Sequence, residues 1–536
     1  MERSARSAAE ILISSDKTQP DLDLISRINL LSSFSQSGAI IDTIVNAASV
    51  HDRHRHSPET WDDLATFLLD SGQVGMAAWL AGQGVNVGGA ARAVLEEARP
   101  YFNLDRRSMD RADIMSQVIS PAILLSDIDR IAVPEDVSDP AAPMLLINAT
   151  LAAGGAERQF VLLVKSLLEA GLAPERVHVG LFSTAADRGH AHFKPALESL
   201  GVTVHDLEAR TVIYGALDQE ERARLGLMPL RIRADVAPVI DLCRELRPAV
   251  IHGWQDRSSI AAGLAGVMAQ VNRIVLAARN MQPDRRMLQD RDAFRDIYGM
   301  LCKRPNVVMT ANSEAGARDY ENWIGLERHT ITVTSNAIDL SEFPVLAGKP
   351  LRGRKRPIVR ILGVFRLAAN KRPELWMRTV AELRRRGNLE VRPRIVGNGP
   401  FLSEIEALRE ELGLKDLKIE SHLSKAEAIY GGADVLLLMS RVEGTPNVVI
   451  EAQCCGLAVA ACDVGGVREA MMPGNLVLDP DIEAEAAAVE IENWIRSLDT
   501  AQRAENVKEV RRKYDISTLA QRALGLYGIQ SAGGDI

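Results

Sequence analysis

Two glutamates stand in a pattern that suits the binding of a polar ligand. Glu443 and Glu451 are separated by seven residues within DVLLLMSRVEGTPNVVIEAQCCGLAVAAC (434–462). This segment predicts a buried strand, an exposed loop, a helix and a second strand. We expect Thr445 to cap the helix and Pro446 to be its first residue, so that free backbone amides point at an anion. The loop and the helix start supply four candidate ligand contacts, which are Gly444, Thr445, Pro446 and Asn447.

Glu451 is the more informative of the two glutamates. The same spacing occurs elsewhere in the chain, for instance between Glu374 and Glu382, so spacing alone carries no functional signal. Glu451, however, interrupts the apolar run VVIEA, and a buried carboxylate is costly unless hydrogen bonds satisfy it. A ribose diol would satisfy this carboxylate, and so would a neighbouring backbone turn. The sequence leaves both alternatives open.

Two cations precede this segment in ILGVFRLAANKRPEL (361–375). Arg366 and Lys371 lie on the loop that is predicted to leave the first strand of the second half of the chain. An arginine fork can grip a diphosphate through two parallel hydrogen bonds, and a lysine adds a compact positive charge. The pair therefore suits a leaving nucleoside diphosphate. The alternative is a solvated charge cluster at a helix start.

Two glycine-bearing loops and one histidine complete the candidate site. Gly154 and Gly155 lie between a predicted strand and helix in INATLAAGGAERQFVLL, where glycine allows close backbone approach to a ligand. The loop is not G-x-G-x-x-G, so a dinucleotide-dependent oxidoreductase is poorly supported. In IVGNGP, Asn398 and Gly399 suit backbone contact with a nucleobase. His252 ends the strand in VIHGW and is either a sugar contact or a structural histidine.

Composition limits the class of protein. The length of 536 residues predicts more than one domain. The formal charge of −8 and the pI near 5.8 argue against nucleic-acid binding. The five cysteines form no C-x-x-C pair, and the N-terminus lacks the apolar core of a signal peptide, so we expect a cytoplasmic protein. HDRHRH (51–56) has no oxygen or sulfur ligand set beside it and is interpreted as surface. The D-x-D triplet at Asp127–Asp129 precedes the sheet domains and lacks the flanking strand pattern of a metal-binding motif, so it is also interpreted as surface.

Short apolar runs alternate with longer amphipathic segments from about residue 141, which predicts an α/β fold built on parallel sheets. The first series of predicted strands comprises 143–150, 177–182, 202–207, 249–252, 273–278 and 307–312. A stretch dense in Pro, Gly, Lys and Arg (344–357) predicts a hinge. The second series comprises 358–365, 391–396, 417–420, 434–439, 457–462 and 475–479. We therefore predict a helical N-terminal extension (1–140), a first sheet domain (141–344) and a second (345–536).

Four motifs follow one another along the chain as GGAER, FRLAANKR, IVGNGP and EGTPNVVIE. Both the motifs and their order resemble those of family-4 glycosyltransferases, which belong to the glycosyl transferases group 1. The resemblance covers residues from about 143 to 530 and implies the GT-B fold, in which two Rossmann-like domains face one another across a cleft. It implies that Glu443 lies beside the donor sugar and that Glu451 holds the nucleotide ribose. It further implies a diphosphate site at Arg366 and Lys371 and a place for His252 near the donor sugar. Arg372 is a departure, because the family commonly has a glycine there.

The implied reaction is retaining transfer of a hexose from a nucleoside-diphosphate sugar to an acceptor hydroxyl, without a metal or other cofactor. The resemblance implies a carbohydrate or lipid-linked acceptor, envelope polysaccharide, exopolysaccharide or lipopolysaccharide synthesis, and loose attachment at the inner face of the membrane. Two alternatives stay open. One is a non-catalytic protein that binds a nucleotide sugar and engages a protein partner through residues 1–140. The other is a sugar-nucleotide epimerase on the same fold, which would act on the donor alone.

Overall fold

The computed structural model describes residues 142–210, 230–286, 291–346, 356–421 and 425–529, with shorter stretches and single residues between 47 and 135, between 212 and 228, and at Leu423. The chain divides into two compact units. One comprises Met1–Asp136, Leu207–Arg247 and Leu264–Val271, and the other comprises Val137–Asp206, Pro248–Gly263 and Asn272–Ile536. Both predicted sheet domains contribute to the second unit.

A parallel sheet of seven strands forms the first half of the second unit. The strands are β1 (Met144–Asn148), β2 (Val177–Leu181), β3 (Thr203–Asp206), β4 (Val250–Trp254), β5 (Arg273–Ala278), β6 (Val307–Ala311) and β7 (Thr332–Val333). Their order is β3-β2-β1-β4-β5-β6-β7. Most of these strands are apolar and buried on both faces, which is typical of parallel strands covered by helices and explains why their positions were predictable.

A parallel sheet of six strands forms the second half. The strands are β8 (Ile358–Val364), β9 (Glu390–Val396), β10 (Lys418–Glu420), β11 (Val435–Leu438), β12 (Ala458–Cys462) and β13 (Leu476–Leu478), in the order β10-β9-β8-β11-β12-β13. Both strand orders reverse direction once, between β1 and β4 in the first sheet and between β8 and β11 in the second. The predicted α/β fold with two parallel sheets is thereby confirmed.

The helices lie mainly between successive strands. They are α1 (Pro58–Asp70), α2 (Gly155–Glu169), α3 (Lys194–Glu198), α4 (Leu230–Leu246), α5 (Gln255–Met268), α6 (Arg291–Leu301), α7 (Glu314–Ile324), α8 (Pro373–Arg386), α9 (Leu402–Glu411), α10 (Ala426–Tyr430), α11 (Asn447–Cys454), α12 (Val467–Ala470), α13 (Ala484–Ser497), α14 (Thr500–Tyr514) and α15 (Ser517–Tyr527). None of the helices in the described ranges is long and apolar enough to cross a membrane.

Helix α15 connects the two halves of the second unit. It follows the second sheet in the sequence, yet Leu519, Ala523, Leu524 and Tyr527 belong to the hydrophobic core of the first sheet. Just before α15 the chain runs alongside Ile338. The amide of Ile338 donates to Tyr514 O at 2.7 Å, and its carbonyl accepts from Ile516 N at 3.0 Å. The last helix of the predicted 345–536 domain therefore packs on the preceding domain.

The N-terminal predictions fall only partly on described residues. Helix α1 lies within the predicted helical extension, and Leu64, Ala65 and Leu68 are buried. Of HDRHRH, His56 packs edge-on against Trp61 with ring centroids 5.4 Å apart. Asp127 and most of the predicted hinge, residues 347–355, lie outside the described residues.

Candidate active site

The candidate site lies where the order of the second sheet reverses. Ligands of open α/β sheets bind outside the carboxyl ends of the strands at such a point. The loop after β8 carries Lys371 and the loop after β11 carries Glu443, so two segments distant in the sequence meet here. Lys371 Nζ donates to Glu443 Oε1 at 2.5 Å, and their side chains are 22% and 9% exposed. The structure thus brings two predicted site residues together as a half-buried ion pair.

Arg366 stands in the same loop as Lys371 but is exposed. Its guanidinium has no hydrogen-bond or ion-pair partner in the part of the chain that the structure describes. An unpaired arginine fork beside a lysine already held by a carboxylate gives this edge of the sheet a free cation. Such a group can bind an anionic ligand without first breaking an ion pair.

Arg372 stands where the family commonly has a glycine, and it keeps a glycine-like backbone conformation. Its backbone is in the left-handed region, with a φ of 48°, which is the conformation that glycine adopts most easily. The side chain is buried and donates to Met439 O at 2.6 Å, to Pro480 O at 2.7 Å and to Ser440 O at 3.1 Å. Arg372 therefore keeps the glycine-like turn and ties the loop after β8 to the loop after β11.

The start of helix α11 differs from the prediction. Helix α11 begins at Asn447, and Pro446 is the residue before it, with extended backbone angles and no side-chain cap. Thr445 does not cap the helix, because its hydroxyl donates to Asn312 O at 2.6 Å instead. The predicted cap was wrong because a carbonyl from the first sheet domain competes successfully for this hydroxyl. The sequence of the loop alone contains no sign of that partner.

Close packing surrounds the loop at Gly444. A Cβ atom there would lie 2.9 Å from Arg279 O and 3.0 Å from Asn280 Cα, so no larger residue fits without movement. Asn447 Nδ2 donates to Gly155 O at 3.1 Å, and its Oδ1 accepts from Asn336 Nδ2 at 2.6 Å. The predicted loops of the two sheet domains are therefore in direct contact.

Glu451 is buried, and the protein itself satisfies its carboxylate. Arg158 NH2 donates to Oε1, and Tyr430 OH donates to Oε2 at 2.5 Å. Burial raises the pKa of Tyr430, which keeps its hydroxyl protonated and able to donate. Neither partner was predicted, although Arg158 belongs to the GGAER motif. The partners of the Glu451 carboxylate are therefore Arg158, a charged residue of the other sheet domain, and Tyr430, and not a backbone turn.

The remaining predicted contacts are dispersed around this centre. Gly154 precedes α2, and Gly155 begins it. A Cβ atom on Gly155 would approach Asn447 Nδ2 to 2.8 Å. Asn398 is exposed, and its carbonyl accepts from Leu367 N at 3.0 Å while its Oδ1 accepts from Gly399 N at 2.8 Å. Asn398 and Gly399 therefore border the loop that carries Arg366.

His252 lies within β4 and is buried. Its Nδ1 is 2.8 Å from Tyr527 OH, and its Nε2 has no hydrogen-bond partner among the described residues. Burial, together with the nearby charge of Arg279, lowers the pKa of His252 to about 3. The imidazole is therefore neutral at physiological pH. Among the described residues, no cluster of His, Cys, Asp or Glu side chains could hold a metal ion.

Comparison with known proteins relates part of this chain to glycosyltransferases. Residues 352–511 match the family model of glycosyl transferases group 1, a span that contains both glutamates and both cations of the site. The Vi polysaccharide biosynthesis protein VipC/TviE of Salmonella typhi is 27% identical over 270 residues, which are 48% of this chain and 46% of that protein. The match thus spans about half of that relative's length. A D-inositol 3-phosphate glycosyltransferase of Paenarthrobacter aurescens is 25% identical over 338 residues, 58% of this chain and 77% of that protein.

Solved structures show the same fold. Anabaena Alr3699/HepE in complex with UDP and glucose superposes with a TM-score of 0.57 at 18% identity, covering 72% of this chain and 99% of that one. The lipopolysaccharide outer core galactosyltransferase WaaB gives a TM-score of 0.53 at 16% identity, and the match covers 72% of this chain and 99% of that one. The predicted GT-B fold is confirmed. The match to the glycosyl transferases group 1 supports that family for residues 352–511.

Proposed function

We propose that this chain is a retaining family-4 glycosyltransferase that moves a hexose from a nucleoside-diphosphate sugar to an acceptor hydroxyl. The observation that carries the proposal is the pairing of Lys371 with Glu443 at the reversal point of the second sheet. Arg366 is exposed and unpaired beside this pair in the described structure. Arg366, Lys371 and Glu443 stand on the two loops at this reversal point, and the second of these loops leads into α11, an arrangement that suits a diphosphate joined to a sugar.

Each residue has a role in the proposed reaction. Arg366 and Lys371 stabilise the charge that develops on the departing diphosphate, which is where electrostatic catalysis is strongest. Glu443 holds Lys371 in place and lies beside the donor sugar. Glu451 binds the nucleotide ribose, and its carboxylate can accept further hydrogen bonds besides those from Arg158 and Tyr430.

Retention follows from attack on the face that the diphosphate leaves. The acceptor oxygen forms a bond to the anomeric carbon as the bond to the diphosphate breaks, and the acceptor proton passes to a diphosphate oxygen. No metal is needed in this scheme, because arginine, lysine and backbone amides occupy the role of a divalent cation. His252 is buried and neutral, and a contact with the donor sugar is proposed for its free Nε2.

The setting we propose is envelope polysaccharide, exopolysaccharide or lipopolysaccharide synthesis at the cytoplasmic face of the membrane. The names of VipC/TviE and of WaaB refer to polysaccharide biosynthesis and to the lipopolysaccharide outer core, which supports the polysaccharide part of this setting. The acceptor is then a carbohydrate or a lipid-linked carbohydrate. Residues 1–140 remain available for a protein partner in this proposal. A nucleotide-sugar sensor and an epimerase are the two alternatives.

A binding and turnover experiment tests the proposal. Thermal stabilisation by a panel of nucleoside diphosphates and their sugars identifies the donor, since ligand at about 100-fold its Kd adds roughly 2.7 kcal/mol. We expect Lys371→Met to lower turnover by about 100-fold, while Lys418→Met, which changes an exposed lysine on β10, leaves it unchanged. Binding without transfer to any acceptor would favour the sensor. Conversion of the donor sugar without an acceptor would favour the epimerase.

A further inference from the structure

Arg279 is a cation at the carboxyl edge of the first sheet that the proposed reaction does not use. It is the first residue after β5. Its guanidinium donates to Asn336 Oδ1 and, at 3.4 Å, to Thr334 O, and it lies over the Trp254 ring with its carbon 4.3 Å from the centroid. Its Nε has no hydrogen-bond partner among the described residues. Neutral oxygens and an aromatic face thus hold this cation in a fixed orientation.

No carboxylate accompanies Arg279 in the described structure. Arg158 and Arg286 of the same unit each have one, in Glu451 and Asp256. Buried Arg372 is neutralised by no carboxylate of the described residues, but its Nε and both terminal nitrogens donate to carbonyl and sulfur acceptors. Burial lowers the pKa of Arg279 to about 9, so it stays charged at neutral pH. The nearby His252 is neutral, and an imidazole cannot act as a counter-ion to a guanidinium. An enclosed charge without a counter-ion is costly, which distinguishes this arginine from a structural ion pair.

The cation adjoins the donor loop. Asn336, which accepts from Arg279, donates through Nδ2 to Thr445 O at 3.1 Å. The carbonyl of Arg279 accepts from Asn312 Nδ2 at 3.1 Å, and it would lie 2.9 Å from a Cβ atom on Gly444. Two successive hydrogen bonds, through Asn336, thus connect Arg279 to the loop that carries Glu443. Part of the residue remains accessible to solvent.

We propose that Arg279 anchors a carboxylate or phosphate group of a sugar substrate, with Trp254 and Asn336 fixing the plane of its guanidinium. The inference rests on the proposed function, because it assigns charge to a substrate of that same site. A guanidinium held over an aromatic ring by neutral oxygens can donate two parallel hydrogen bonds to an oxyanion. The acidic group belongs either to the donor sugar or to the acceptor, and the chemistry of recognition is the same for both.

Calorimetry on the full chain distinguishes the two sources. In the first arm, UDP-glucuronate is compared with UDP-glucose, which differs only in lacking the carboxylate. In the second arm, free glucuronate and glucose 6-phosphate are compared with glucose, both with and without saturating UDP. Each arm uses the wild type, Arg279→Gln, Arg279→Lys and Arg318→Gln, the last of which removes an exposed arginine on α7.

We expect the acidic member of one arm to bind roughly 10- to 100-fold more tightly than its neutral counterpart, the range for a charge-assisted hydrogen bond. Arg279→Gln should abolish that preference and leave UDP affinity within about twofold, whereas Arg318→Gln should change neither. Arg279→Lys, which keeps the charge without the fork, should retain part of the preference. Equal binding of acidic and neutral members in both arms, or a preference that persists in Arg279→Gln, would overturn the inference. Failure of UDP and every other nucleoside diphosphate to bind the wild type would instead count against the proposed function.

Discussion

Replacement of Arg372 separates the energy of a backbone turn from that of a side chain. In Arg372→Gly a weak hydrogen bond to Cys462 Sγ is lost, and so are the three stronger hydrogen bonds to Met439 O, Ser440 O and Pro480 O. At about 1 kcal/mol each, their loss destabilises the loops by about 3 kcal/mol. In Arg372→Ala the same bonds are lost, and the left-handed backbone at φ 48° additionally costs about 1 kcal/mol relative to glycine.

Hydrogen exchange measured by mass spectrometry reports these energies locally. Amides of residues 435–441, next to two of the three carbonyls, should lose protection by roughly 100-fold in the glycine variant and by a further fivefold or so in the alanine variant. Arg385→Ala, which removes an exposed arginine on helix α8, is the control and should change protection by less than about twofold. Wild-type protection in the glycine variant would mean that the guanidinium does not hold the loops. Equal protection in the glycine and alanine variants would refute the left-handed turn.

Three further predictions concern the site. Glu451→Gln should weaken the binding of the nucleoside diphosphate and of the nucleotide sugar alike, by about 1.5–3 kcal/mol. Glu443→Gln should instead lower turnover with little change in nucleoside diphosphate affinity. Calorimetry and steady-state kinetics on both variants compare these effects, and equal losses of nucleoside diphosphate affinity would show that the roles are misassigned. His252 has its pKa lowered to about 3 by burial and by the charge of Arg279, so the unfolded chain takes up the proton first as pH falls below about 6.5. Stability should therefore drop by about 2 kcal/mol between pH 7 and pH 5 in the wild type, and urea titrations of His252→Asn should lack this part of the loss. Turnover should survive excess EDTA, and activity that is abolished by EDTA and restored by Mg²⁺ or Mn²⁺ would contradict the metal-free phosphate site.

Local sequence was sufficient to predict the sheets. Strands such as β5 and β12 are buried along almost their whole length, and burial on both faces leaves a continuous apolar run in the sequence. Their positions were therefore predicted to within a residue or two. The loops that follow β8 and β11 were predicted in the same way, but the strand order that brings these loops together was not predicted.

Long-range partners were beyond the reach of the same reasoning. Burial of Glu451 was expected, but its contacts with Arg158 and Tyr430 depend on how two domains meet. The Thr445 hydroxyl was assigned to a helix cap because only nearby backbone amides are visible in a sequence as its partners, whereas the group it donates to, Asn312 O, lies in the other domain. Arg372 posed the same difficulty, since nothing near it in the sequence indicates which carbonyls could stabilise a left-handed arginine.

The position of helix α15 has a consequence for how the chain is made. The core of the first sheet includes Leu524 and Tyr527, which are synthesised long after β1. At about 5–20 residues per second, the ribosome needs roughly 20 to 70 s to travel from β1 to α15. Throughout that interval the nascent first domain lacks one wall of its core and exposes apolar surface. Completion of that domain therefore waits until α15 has left the ribosome, and the exposed face is where we expect a ribosome-associated chaperone to bind.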